Sequence, residues 1–108
     1  MIKVMIADDQ ELLRESLKIL LSSQDDIEIA GLAADGEEVL NLIPSCRPDV
    51  ILMDIEMEKK DAGLRAVEEI YHAGLNPKII ILTVYEEDEL IFTAFQLGVC
   101  DYLLKMLQ

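Results

Sequence analysis

The sequence predicts an α/β domain built on a doubly wound parallel sheet of five strands. Three observations predict it. Short apolar runs rich in β-branched residues alternate with helix-period segments along the whole chain. The central run, Val50-Ile51-Leu52-Met53 between Asp49 and Asp54, is too short for a helix and apolar at every position, as a strand buried on both faces must be. The runs also end in polar residues, and the carboxyl ends of strands are where open parallel sheets gather their chemistry.

The elements follow in order. Residues 2–7 form β1, which ends in Asp8-Asp9. Leu13, Leu17, Leu20 and Leu21 mark the inward face of a helix over about 10–22, α1. After the polar stretch 22–26, residues 27–33 form β2. Asp35 and Glu38 have the spacing of a capping box and open α2, which Pro44 should kink or end. The central run is β3. Leu64, Val67, Ile70 and Tyr71 form the inward stripe of α3, which stops near Gly74 with Pro77 beyond it. Residues 78–82 make β4 and deliver Thr83. A helix over 86–97, α4, carries Leu90, Ile91, Ala94 and Phe95 on its apolar stripe and is capped by Gly98. Residues 100–104 make β5 and deliver Lys105. No helix follows β5 before Gln108, so part of one sheet face is expected to be bare; either the chain is a piece of something longer or a neighbouring molecule covers the gap.

Composition narrows the function classes. The 108 residues suffice for one domain, and 52% hydrophobic content fits a sheet covered on both faces. No apolar run approaches the roughly 18 residues of a membrane span and no signal peptide opens the chain, so a cytoplasmic protein is expected. Nine basic against 22 acidic residues, a net charge of −13, argue against direct binding of a nucleic-acid backbone. Cys46 and Cys100 lack metal-ligand spacing and are expected to be buried thiols.

The polar strand ends converge. β1 supplies Asp8 and Asp9, β3 supplies Asp54, β4 supplies Thr83, and β5 supplies Lys105. Three carboxylates in one crevice repel one another unless a cation lies among them or one is protonated. Oxygen ligands without His or Cys suit Mg²⁺, and a metal with a Lys and a hydroxyl suits a phosphoryl group in transfer. Attack by an Asp on phosphorus to give an aspartyl phosphate is established covalent chemistry. Each residue has an ordinary structural alternative: Asp8-Asp9 as helix-start acids, Asp54 as a loop acid, Thr83 as a strand-end hydroxyl, Lys105 as a terminal charge. The coincidence of all of them at the strand ends of one sheet outweighs those alternatives. His72, beside Tyr71, is expected at the surface, and Glu86-Glu87-Asp88-Glu89 is the acidic bias of a helix start.

These residues resemble the receiver domain of two-component response regulators over essentially the whole chain. The resemblance is carried by Ile6-Ala7-Asp8-Asp9-Gln10, Ala34-Asp35-Gly36, Pro48 to Ile55, Leu82-Thr83 and Gly98 to Lys105. Gln10, the stretch 26–31 and Tyr85-Glu86-Glu87-Asp88 are closest to the NarL/LuxR subfamily.

The resemblance implies a flavodoxin-like sheet of order 2-1-3-4-5 with the final helix missing. It implies that 1–108 is the receiver domain at the N-terminus of a longer regulator. Asp54 would be the phosphoacceptor, Asp9 a direct Mg²⁺ ligand, Asp8 a ligand acting mainly through water, and the backbone carbonyl of Glu56 a further ligand. Thr83 and Lys105 would contact the phosphoryl oxygens, and Tyr102 would be the aromatic switch that moves with Thr83. The donor would be a phosphohistidine on a sensor histidine kinase. The α4-β5 surface would carry the signal, with self-association on phosphorylation and DNA binding through a C-terminal helix-turn-helix outside this chain.

The chain departs from the family pattern at Glu58, where a Pro is usual, in Asp61-Ala62-Gly63, one residue longer than the usual Asp-Gly, and at Met106, where a Pro follows the Lys. Two alternatives stand beside this reading. One is a receiver that never carries phosphate and serves only for docking or dimerisation. The other is a haloacid-dehalogenase-like phosphatase, against which Asp54-Ile55-Glu56 lacks the second Asp of the DxD motif.

Overall fold

The computed structural model describes residues 1–54, 62–83 and 101–104, with backbone alone at 62–64, 83 and 101–104. The expected α4, Glu56, Lys105 and Cys100 lie outside the described residues. Strands β1 (Ile2–Ala7), β2 (Ile27–Ala33), β3 (Val50–Asp54), β4 (Lys78–Thr83) and β5 (Asp101–Leu104) form one parallel sheet in the order β2-β1-β3-β4-β5. Helices α1 (Glu11–Ser22), α2 (Gly36–Cys46) and α3 (Ala62–His72) make the crossovers among the first four strands. The order matches the expected one. Because β1 lies between β2 and β3, the chain turns one way from β1 and the other way into β3, which opens a crevice at their carboxyl ends.

Among the described residues, the main core cluster sits on one face of this sheet. Met5, Ala7, Ile51, Met53, Ile79 and Ile81 point to that face from three adjacent strands and pack against Val39 and Ile43 of α2 and Ala66, Val67 and Ile70 of α3. Each is fully or almost fully buried. A fully buried Ile such as Ile51 contributes about 2–3 kcal/mol of hydrophobic stabilisation. On the opposite face Val4, Ile6 and Leu82 are buried but Val50, Leu52 and Ile80 are only half-buried. The period-2 alternation of a strand explains how the same segments meet two such different environments.

Local chemistry sets the boundaries. Asp35, extended at φ −153°, accepts a hydrogen bond from the Glu38 backbone N–H at 2.8 Å and caps α2 as expected. Pro44 does not end α2: the helix continues to Cys46 and closes at Arg47, whose left-handed backbone (φ 46°) donates to the Ile43 carbonyl. A helix already supported by Val39 and Ile43 in the core tolerates the bond Pro44 cannot make. At the end of α3, Gly74 (φ 75°) donates to the Tyr71 carbonyl and Leu75 to the Ile70 carbonyl, a Schellman turn in which a left-handed glycine satisfies the last carbonyls. Gly31 serves a close approach instead: a Cβ there would lie 3.0 Å from Cys46 Sγ. Cys46 is a free, half-buried thiol against the core rather than a fully buried one.

Two face assignments are corrected. On α1, Leu13, Leu17 and Leu21 are half-buried, but Leu20 is 63% exposed, as are Leu12 and Ile19 to a greater degree. On α3, Tyr71 is 67% exposed and Ala66 takes the inward place beside Val67 and Ile70. In both helices the stray residue flanks the apolar stripe, about 100° from a neighbour that faces inward. His72 is exposed, as expected, 3.7 Å from Glu68 one turn earlier.

At the amino ends of the strands, Asp49 ties β1 to β3. Its carboxylate accepts from the Lys3 backbone N–H at 2.8 Å, its own N–H donates to the Lys3 carbonyl at 2.8 Å, and its carbonyl accepts from the Lys78 N–H at 2.9 Å.

Candidate functional site

The carboxyl ends of β1 and β3 bring three acids together. Ala7 pairs with Met53, which places Asp8, the next residue, level with Asp54 at the end of β3. Asp8 is fully buried, Asp54 is 3% exposed, and Asp9 is exposed at the mouth. One carboxylate oxygen from each lies within 4.8 Å of the other two. Burial of carboxylates at this spacing is costly unless positive charge or hydrogen-bond donors meet them.

The loop that carries Asp8 and Asp9 is tied at several points. The Asp8 N–H extends the β1–β2 ladder by donating to the Ala33 carbonyl at 3.0 Å. Asp8 Oδ1 accepts from the Gln10 backbone N–H at 2.9 Å. The Asp8 carbonyl accepts from Arg14 Nη1 at 2.7 Å. Gln10 makes no side-chain cap, so the start of α1 is ordered by Asp8 and Arg14. The helix-start role of Asp8 is therefore real and coexists with its place in the acid group.

The site fits a hard cation. Adjacent ligands of an octahedral Mg²⁺ with bonds of about 2.0–2.1 Å lie roughly 2.9 Å apart and opposite ones roughly 4.1 Å, so a cation would draw these oxygens, already within 4.8 Å of one another, closer together. The donor set is all oxygen, two of the three residues are buried, and one is open to solvent, which suits an ion that keeps several waters.

The other expected site residues are placed as follows. Thr83 is the last residue of β4, one step beyond Leu82, which pairs with Asp54, so its backbone is at the same sheet edge. Tyr102 lies in β5 opposite Ile81, and Leu104, which precedes Lys105, pairs with Thr83. Glu56 and Lys105 lie outside the described residues. The residue that sequence reasoning missed is Arg14. An arginine in a surface helix reads as solvated, and its one available signal was its place beside Leu13 and Leu17, on the side of α1 that turns toward the protein.

Residues 4–108 match the model of the response regulator receiver domain. The chain is 42% identical over 105 residues to the transcriptional regulatory protein LiaR of Bacillus subtilis, which covers 97% of this chain and 49% of LiaR. The chain spans about half the length of the curated relatives it matches, 47 to 49% for the first three. The signal receiver domain of NarL from Mycobacterium tuberculosis superposes with a TM-score of 0.89 at 29% identity, covering 99% of this chain and 86% of that one. A DNA-binding response regulator of the LuxR family from Staphylococcus aureus superposes at 0.87 with 32% identity, covering 96% and 86%. Among the described residues, no helix is long and apolar enough to cross a membrane.

Proposed function

We propose, from the premise that this chain belongs to the response regulator receiver domain family, that it works as a phosphorylation-dependent signalling switch with Asp54 as phosphoacceptor. The observation that carries the proposal is the buried Asp54 carboxylate at the end of β3, within 4.8 Å of Asp8 and Asp9. A lone strand-end acid would not need such company, and the family's chemistry requires it.

The carboxylates of Asp8, Asp9 and Asp54, with the backbone carbonyl of Glu56, would hold Mg²⁺. Bound there, Mg²⁺ supplies positive charge to the phosphoryl oxygens. An Asp54 oxygen attacks the phosphorus of a phosphohistidine on a sensor histidine kinase. The new P–O bond forms as the P–N bond breaks, and the departing imidazole nitrogen takes the electron pair and then a proton. The Thr83 hydroxyl and the Lys105 ammonium meet the phosphoryl oxygens. The added dianion draws Thr83 toward it, Tyr102 turns into the space vacated, and the α4-β5 surface changes. Burial of Asp8 and Asp54 limits the approach of water and so slows hydrolysis of the acyl phosphate.

In this reading residues 1–108 are the receiver domain of a longer cytoplasmic regulator, signalling rather than turning over a substrate. Its relationship to LiaR and to the LuxR-family structure supports an output in transcription, through a DNA-binding domain outside this chain and self-association on phosphorylation. The family match weighs against the phosphatase alternative.

The test is intact mass after incubation with Mg²⁺ and a small acyl-phosphate donor. One added phosphoryl group, absent in Asp54→Asn and abolished by EDTA, is the expected result. A folded wild-type protein that never gains the mass would instead be a receiver used only for docking.

A further inference from the structure

Arg14 bonds to both residues that bracket Asp9. Its Nη1 donates to the Asp8 carbonyl at 2.7 Å, and its backbone N–H donates to the Gln10 carbonyl at 3.0 Å. The Gln10 N–H in turn closes onto Asp8 Oδ1 at 2.9 Å. The side chain is half-buried, so its bond is shielded from competing water. The helix begins without a side-chain cap, and these bonds, with that from the Asp8 N–H to the Ala33 carbonyl, help fix the turn from β1 into α1.

We propose that Arg14 is a positioning residue of the cation site, holding the Asp8 carbonyl so that Asp8 and Asp9 face Asp54 before a cation arrives. This rests on the reading of Asp8, Asp9 and Asp54 as a Mg²⁺ site and extends it to a residue that touches neither metal nor phosphate. The physical argument is preorganisation. Carboxylates this close repel one another, and a flexible loop would let Asp9 swing away into solvent; the cation would then have to reverse that motion. A guanidinium fixed on the neighbouring carbonyl removes the freedom without itself occupying a carboxylate oxygen. Outer residues that orient metal ligands in this way typically change metal affinity by ten- to a hundredfold when removed.

A second role would act in the opposite direction. A positive charge held on the Asp8 carbonyl lowers the field that attracts a cation to the acids, so if Arg14 mattered mainly as a counter-charge, its removal would tighten Mg²⁺ binding. The two roles therefore differ in sign.

The experiment is calorimetric titration of the metal-free protein with Mg²⁺, for wild type, Arg14→Met and Arg14→Lys, with amide hydrogen exchange at Gln10 measured without metal. Arg14→Met keeps the aliphatic stem and loses the donor. The expected result is a Kd for Mg²⁺ raised about tenfold in Arg14→Met and partly recovered in Arg14→Lys, with faster exchange at Gln10 in the Met variant. Should Arg14→Met fail to fold, Arg14→Lys carries the test, and a Kd equal to that of wild type refutes the proposal. A folded Arg14→Met with unchanged Kd and only a lower melting temperature also refutes it, as does tighter binding. A wild type that binds no Mg²⁺ overturns the cation site itself, and the Arg14 role with it.

Discussion

Neutralising Asp54 should make the metal-free protein more stable, although the residue is buried and at the centre of the site. Two unit charges at 4.8 Å, the outer bound on the separation of these oxygens, repel by about 3.5 kcal/mol at an effective dielectric of 20. Asp8 and Asp54 are both buried, so little of this is screened between them; Asp9 is exposed and adds less. Hydrogen bonds such as that from the Gln10 N–H to Asp8 offset part of the repulsion. Asp54→Asn keeps the shape of the side chain, removes one charge and adds an N–H donor facing two acids. Where the repulsion outweighs the bonds Asp54 gives up, each 1 kcal/mol gained raises Tm by roughly 4–8 °C for a domain of this size. Mg²⁺ should act in the opposite sense on the pair of proteins. At a hundredfold excess over Kd it stabilises wild type by about 2.7 kcal/mol, and the variant, lacking one ligand, gains much less. Thermal unfolding followed by circular dichroism, in EDTA and in Mg²⁺, reads both effects. The variant should melt above wild type in EDTA and lose that advantage in Mg²⁺. Melting below wild type in EDTA, or an equal gain from Mg²⁺, would falsify the electrostatic account of the site.

Two further outcomes follow from packing. Asp35→Ala removes the bond to the Glu38 N–H and should cost about 1 kcal/mol, seen in urea unfolding as a lower midpoint with an unchanged m-value. Gly31→Ala places a methyl 3.0 Å from Cys46 Sγ and should destabilise by about 1–2 kcal/mol, of which Cys46→Ala in the same chain recovers part; simple additivity in that double-mutant cycle would mean the thiol is not the obstacle.

Much of this was legible in the sequence because it depends on local pattern. The strand ends that carry Asp8 and Asp54 follow from apolar runs interrupted by acids, and the cap at Asp35 and the turn at Gly74 from residue types with one good use in those places. What failed to follow depends on the third dimension. Periodicity finds an apolar stripe but not how wide a strip the rest of the protein covers, so Leu20 and Tyr71 belong to the stripe by spacing and yet lie outside. Pro44 carries a local penalty, and the core contacts of Val39 and Ile43 outweigh it. The part of Arg14 was invisible because the carbonyl it holds comes within reach only when the chain folds back from β1 into α1.

The clasp made by Asp49 has a bearing on the opposite edge of the sheet. Strands are rigid in length but free, in principle, to slide along one another, and a slide of one residue would carry Asp54 about 3.3 Å and turn its side chain to the other face. Asp49 grips Lys3 by side chain and backbone together and Lys78 by its carbonyl, so β1, β3 and β4 start from a common line. Five residues later, about 16 Å away, the alignment of Asp54 with Asp8 is inherited from that line. The tolerance of the acid group is thus set at the amino edge of the sheet, like the zero mark of a rule that is read at its far end.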